Sequence, residues 1–293
     1  MIHSDFHVHT TFSTDGKSEM ADMIESARGR QIHTICFTEH MDYDTKYPEG
    51  DGSFMVDTET YMKRNHELRD LENPDGKLIG AGRETGDAMY GPVEVLFGVE
   101  LGLQPHVKDF YEKYVASYPF DFVIGSSHAL NRIDTAFSEF WESYGTEKEA
   151  VRAYFESELE CARSFDVFDV YGHLDYPLRY APSALKNGVF DFSYAEYGDV
   201  LDEVLKTIIE KGKGIEINTA GYRKSLHRPN PDVTILERYR ELGGEIITVG
   251  SDAHVTTDVA ADFDLAEKVL RNAGFKGYYV FRNRKASRID FEF

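Results

Sequence analysis

Seven short apolar runs, each leading into a helix-length segment, constrain this chain more than any other feature. The runs lie at 4–9 (SDFHVH), 33–40 (HTICFTEH), 93–101 (VEVLFGVEL), 121–128 (DFVIGSSH), 168–175 (FDVYGHLD), 213–220 (KGIEINTA) and 245–254 (EIITVGSDAH). Amphipathic periodicity predicts helices around 19–30, 58–71, 148–164, 195–211, 232–242 and 258–273. Strands alternating with helices predict a parallel sheet with helical crossovers, and seven such units predict a distorted (β/α)7 barrel, closed or nearly so. With no internal repeat, low-complexity tract or break in composition, residues 1–293 are read as one domain, long enough to bury a core without covalent staples.

The polar residues within these runs follow a rule. Each run ends, on its C-terminal side, in a side chain able to bind metal or phosphate: His7 and His9, His40, Glu100, His128, His173, Asn218, and Asp252 with His254. In a β/α barrel those ends converge on one mouth, where active sites are built. The His-X-His pair suits such a role, because alternate side chains of an extended segment share a face and two imidazoles there can pinch a cation. Five histidines fall outside the rule (His3, His33, His66, His106 and His227) and are read as surface or loop residues.

Composition narrows the partners. The formal charge of −20 argues against nucleic acid, which is bound by neutralising phosphates with Lys and Arg, and no basic patch offsets it. No apolar run is long enough to span a bilayer, and the first residues lack the basic and apolar regions of a signal peptide, so a cytoplasmic protein without a membrane partner is expected. Cys36 and Cys161 are read as core thiols.

Two inserts interrupt the alternation. Residues 41–54 follow the second run on the mouth side and can form a wall facing a substrate. Residues 72–92 precede the third run and belong on the far side. The glycines of GAGRETG (80–86) and KGKG (211–214) lack the strand–turn–helix setting and the spacing of phosphate loops, and read as turn glycines.

Taken in order, HVHTTFSTDG, FTEH, GVELGLQPH, IGSSH, GHLDYPLRY, INTAGYRK and VGSDAH resemble the successive motifs of the polymerase and histidinol phosphatase (PHP) superfamily, in particular its monofunctional histidinol-phosphate phosphatase branch. The resemblance spans most of the chain. It implies a distorted seven-unit barrel holding two to three divalent transition metals, with Zn, Mn or Fe suited to imidazole and carboxylate donors. Carried over by motif, His7, His9, Glu100 and Asp252 hold one metal. Glu100, His128 and His173 hold a second, and Asp15, His40 and His254 a third. Some relatives carry histidine at position 15, and a plain turn aspartate is the competing reading of Asp15.

The same resemblance implies hydrolysis of L-histidinol phosphate by a hydroxide bridging two cations, with Arg179 and Arg223 gripping phosphoryl oxygens and Asp252 and His254 in the catalytic group. Asp42 and Tyr43, in the 41–54 insert, are expected to contact the ammonium and imidazole of the substrate. Two alternatives stay open: a PHP-type phosphoesterase acting on another small phosphate monoester, and a metal-binding regulatory barrel without catalysis. The sequence is silent on oligomeric state.

Overall fold

The chain is described by a computed structural model over residues 1–47, 53–73 and 91–292. Its strands are β1 (Ser4–Val8), β2 (Thr34–Met41), β3 (Glu94–Gly102), β4 (Phe122–Ser126), β5 (Ala129–Leu130), β6 (Ile133–Asp134), β7 (Val170–Tyr171), β8 (Gly214–Asn218), β9 (Ile247–Gly250), β10 (Gly277–Arg282) and β11 (Lys285–Asp290). The helices are α1 (Met20–Gly29), α2 (Thr58–Glu72), α3 (Lys108–Ser117), α4 (Ser138–Glu142), α5 (Glu147–Ser164), α6 (Pro182–Asn187), α7 (Tyr194–Glu210), α8 (Val233–Glu241) and α9 (Phe263–Asn272).

Seven of the strands pair in parallel in the order β1-β2-β3-β4-β7-β8-β9. The last meets the first just beyond its end: Val8 bridges Ala253, Asp252 N–H donates to His7 O at 2.8 Å, and His9 N–H donates to Ala253 O at 2.9 Å. The result is the nearly closed β/α barrel that the alternation predicts. β2 and β3 are buried along their whole length, with apolar stretches Ile35–Phe37 and Val95–Val99 interrupted toward the mouth by Glu39, His40 and Glu100. The six predicted helices are present, each within a few residues of its expected bounds.

The fifth run differs from expectation. Only Val170 and Tyr171 form a strand, because the backbone after Gly172 turns away into a 3₁₀ segment, Tyr176–Tyr180. The β3–β4 crossover is α3, an aromatic-rich helix outside the predicted set, preceded by a short turn at Pro105–Val107. Two antiparallel hairpins are also added, β5–β6 at the mouth and β10–β11 at the opposite end.

The β10–β11 hairpin covers the N-terminal ends of the strands. Phe281 packs on Phe122, which packs edge-on against Phe6. Arg282 pairs with Glu94 and Arg284 with Asp169, while Asn283 N–H donates to the Asp121 carboxylate at 3.0 Å. Three carboxylates at the barrel floor thus find partners on one turn. Cys36 and Cys161 are buried free thiols. The 80–86 glycine stretch and most of the 72–92 insert lie outside the described residues, as do 48–52 of the 41–54 insert. No helix among the described residues is long and apolar enough to cross a membrane.

Candidate metal centre

At the mouth, Glu100 stands at the middle of a ring of imidazoles. It is fully buried on β3, and its two oxygens face different neighbours. Oε1 lies 3.1 Å from His128 Nε2 and 3.0 Å from His173 Nε2, and accepts the Ser126 hydroxyl at 2.7 Å. Oε2 lies 3.2 Å from His7 Nε2, 3.4 Å from His9 Nε2 and 3.0 Å from His40 Nδ1. A carboxylate so placed can serve two cations with one oxygen each. Although burial opposes its charge, His7, His128 and His40 hold it well below the usual carboxylate range.

The remaining expected ligands complete three clusters. His7 and His9 bring their Nε2 atoms to 3.0 Å, and Asp252 Oδ1 lies 3.7 and 3.5 Å from them. Glu100, His128 and His173 form the second group, and His9, His40 and His254 the third. Asp15, the most exposed member, joins the third group through His254 Nε2 at 3.1 Å and His40 Nε2 at 3.7 Å. Several buried ligand atoms here, among them His40 Nδ1, Glu100 Oε2 and His254 Nε2, stand close to a neighbouring imidazole or carboxylate without a well-directed hydrogen bond among the described residues. Imidazole nitrogens and carboxylate oxygens crowded together and buried are a donor set for divalent transition metals.

Local structure sets these positions. His7 and His9 share the inner face of the first strand and its extension, while Phe6 and Val8 are buried among the apolar core. Asp252 sits at φ +53°, a left-handed turn that tips its carboxylate into the ring. That turn is tied down by Asp5, which accepts Ser251 N–H at 2.9 Å, the Ser251 hydroxyl at 2.5 Å and Ala260 N–H at 2.9 Å. Ser13, itself held by Glu39, lies 3.1 Å from His9 Nδ1. The sequence reading missed all these supporting groups, and also missed Glu216, whose Oε1 is 2.6 Å from His7 Nδ1.

Of Asp42 and Tyr43, the first reaches the cavity but is engaged by protein groups, and the second departs from expectation. Asp42 is buried with its carboxylate 3.0 Å from His128 Nδ1, and Oδ2 accepts the Tyr47 hydroxyl at 2.9 Å, so both interactions orient protein groups. Gly102 makes room for it, since a Cβ there would lie 2.3 Å from Asp42 Oδ1. Tyr43 points away from the mouth: its ring stacks on Phe110 at 3.8 Å, because successive side chains leaving β2 face opposite sides. Among the described residues of the 41–54 insert, those that line the cavity are Asp42, Tyr47 and Phe54.

That cavity has a volume of about 620 Å³, and its lining includes Asp15, His40, Glu100, His128, His173, Asp252 and His254. Both expected arginines reach it. Arg179 is buried, its guanidinium 4.4 Å from the Tyr176 ring centroid and 5.3 Å from that of Tyr180, with Nη2 3.8 Å from Asp252 Oδ2. Its Nε and Nη1 make no hydrogen bond among the described residues. Arg223 is spoken for: Nη2 donates to Ser251 O at 2.7 Å, Nη1 lies 3.2 Å from Asp262 and Nε 3.3 Å from Asp258. Away from the arginines the wall carries Asp134, which burial pushes up to about 6, beside Tyr47, Phe54 and Phe137.

Fold and site together define a class, the β/α barrels that collect divalent-metal ligands at the C-terminal ends of their strands. Within that class the chain belongs to the PHP domain family, whose model matches residues 5–220. It is 34% identical over 272 residues to a probable histidinol-phosphatase of Clostridium acetobutylicum, covering 93% of this chain and 94% of that one. It is 27% identical over 287 residues to the histidinol-phosphatase of Lactococcus lactis subsp. lactis, covering 97% and 96%. The crystal structure of the Lactococcus lactis histidinol phosphate phosphatase, complexed with zinc, L-histidinol and phosphate, superposes with a TM-score of 0.81 over 97% of this chain and 98% of that one.

Proposed function

We propose that this chain hydrolyses L-histidinol phosphate to L-histidinol and inorganic phosphate, in histidine biosynthesis, using two to three divalent transition metals. The observation that carries the reading is the near full-length match to histidinol-phosphatases, joined to a mouth where the buried Arg179 guanidinium stands beside a cluster of imidazoles and carboxylates. Bound cations supply activation of water and neutralisation of charge on the phosphoryl group.

The chain's own residues do the rest. His7, His9 and Asp252 would hold one cation, and Glu100 with His128 and His173 a second. His40 and His254, with Asp15 beside them, provide the third position. Asp42 fixes the His128 ring by taking its Nδ1 proton in a hydrogen bond, leaving Nε2 for metal. Arg179 offers unpaired N–H groups to phosphoryl oxygens, a planar donor set suited to them. Arg223 shapes the mouth by holding the Ser251 carbonyl next to Asp252.

For the remainder of the substrate, the wall of Asp134, Tyr47, Phe54 and Phe137 offers negative charge and aromatic faces to an ammonium and an imidazole. Lost contacts of that kind cost roughly 1–3 kcal/mol, so L-histidinol phosphate should be hydrolysed at least about tenfold more efficiently, in kcat/KM, than a plain alkyl phosphate. Asp134→Asn should shrink that ratio and leave alkyl phosphate hydrolysis nearly unchanged. Equal efficiency on both substrates in the wild type would instead favour a phosphoesterase of broad range.

A further inference from the structure

Beyond the ring of ligands, a second carboxylate is buried behind it. Glu216 lies at the middle of β8, 1% exposed, between the apolar Ile215 and Ile217. Side-chain alternation turns it inward with Asn218, toward His7 rather than toward solvent. Its Oε1 is 2.6 Å from His7 Nδ1. Its Oε2 accepts the backbone N–H of His173 and the Asn218 amide, each at 3.2 Å. That amide also donates to Asp252 Oδ2 at 3.3 Å. One side chain therefore touches His7, the backbone of His173 and, through Asn218, Asp252. These three belong to ligand groups on both sides of Glu100.

Glu216, His7 and His173 can also be read as a metal-binding trio, since their donor atoms cluster. The 2.6 Å separation decides against that reading: two ligands of one tetrahedral cation stand about 3.3 Å apart, whereas a charge-assisted hydrogen bond draws nitrogen and oxygen closer. The Nε2 of His7 faces the ring, so Nδ1 carries the proton that Glu216 accepts. The fold keeps space for this contact: at Gly250 a Cβ would lie 2.3 Å from Glu216 Oε1.

We propose that Glu216 is a positioning residue for the metal centre. It fixes the His7 ring with Nδ1 protonated and Nε2 directed at metal, and it sets the His173 backbone and the Asp252 carboxylate to match. The proposal rests on the metal-site reading above. It places a carboxylate–histidine–metal relay on β8, a strand that supplies none of the expected metal ligands. Removing such a supporting group lowers metal affinity by about 10–100-fold in other sites.

The test compares wild type, Glu216→Gln and Glu216→Ala as full-length proteins, each shown folded by circular dichroism. Zinc affinity is measured by chelator competition, and the ring N–H protons of the zinc-loaded proteins by NMR. Wild type should show a strongly deshielded ring N–H proton, the signature of a short bond to a carboxylate. Glu216→Gln keeps a carbonyl acceptor of the same reach, so it should retain the ring orientation, lose the extreme deshielding and weaken zinc binding several-fold. Glu216→Ala should lose the resonance and bind zinc about 10–100-fold more weakly. If Ala does not fold, Gln alone decides by the resonance and the affinity. Unchanged affinity and an unchanged resonance in a folded variant would overturn the proposal while leaving the metal site standing. A wild-type chain that takes up no zinc would overturn both.

Discussion

At the scale of single side chains, Arg179 and Arg223 look equivalent in the sequence and differ in their surroundings. Arg179 lies against two tyrosine rings with two donors that make no hydrogen bond among the described residues, whereas Arg223 has an acceptor for each end of its guanidinium. Losing a charge-assisted contact made in the transition state costs about 2–4 kcal/mol, so Arg179→Ala should lower kcat/KM by two to three decades with metal content unchanged. Arg223→Ala should cost about tenfold or less, through loosening of the Ser251 turn. Steady-state kinetics with metal analysis checks this, and the reverse ranking would exchange the two roles.

A second residue carries a prediction about pH. Glu158 is fully buried on α5 without an ion pair among the described residues, and burial pushes its carboxyl well above the usual range. The unfolded chain ionises it near the ordinary value while the folded chain keeps it protonated. The stability it contributes is therefore complete below that ordinary value and is lost as pH rises toward the folded one. Between the two the slope is about 1.4 kcal/mol per pH unit. Relative to wild type, Glu158→Gln should gain stability at that slope above about pH 5. Urea unfolding at several pH values reads it, and parallel curves for the two proteins would show that the carboxyl is not held neutral.

At the scale of elements, the barrel is legible because strand and helix periodicities differ and repeat in register along the chain. What escaped is what periodicity does not mark. β5 and β6 have two residues each, too short for alternation to register, and β7 keeps only two residues of the predicted fifth run. The β10–β11 turn is Asn283-Arg284, both at positive φ, without the glycine that usually announces such a hairpin. The residues proposed as metal ligands stand out in the sequence because they end strands. Glu216 does not, since a charged residue between two isoleucines on β8 reads as the solvent side of an alternating strand. Tyr43 was misjudged by a similar one-residue ambiguity, next to the inward Asp42.

The hairpin's docking can be tested directly. Arg284 holds an unfavourable left-handed φ of +65° and is fastened by its backbone N–H to Asp121 O at 2.9 Å and by its side chain to buried Asp169. Arg284→Ala leaves that carboxylate uncompensated at the barrel floor. A loss of about 1–3 kcal/mol in unfolding free energy is expected, with kcat unaffected at the far mouth. A change in activity without a change in stability would contradict a purely structural role for this element.

At the scale of the whole molecule, a chain of formal charge −20 brings a small set of buried carboxylates and imidazoles to one end of a barrel whose apolar core runs through its seven parallel strands. The division matters for metal removal. Core burial does not depend on the cations, and in their absence the carboxylates of the ring face imidazoles able to take a proton: burial opposes the charge on His7, yet Glu216, Glu100 and Asp252 raise its pKa well above normal. The metal-free protein should therefore keep its fold. Each cation that binds only the folded chain adds stability by mass action, about 2.7 kcal/mol at a free concentration one hundred times its dissociation constant. Chelation should accordingly abolish phosphatase activity, leave the far-ultraviolet circular dichroism nearly unchanged, and lower the melting temperature by several degrees. Restoring zinc or manganese should raise that temperature in a concentration-dependent way and return activity, with elemental analysis giving two to three ions per chain. A chelated, metal-free preparation that still hydrolyses phosphate esters would remove the metals from the chemistry. One that unfolds would make the cluster part of the core.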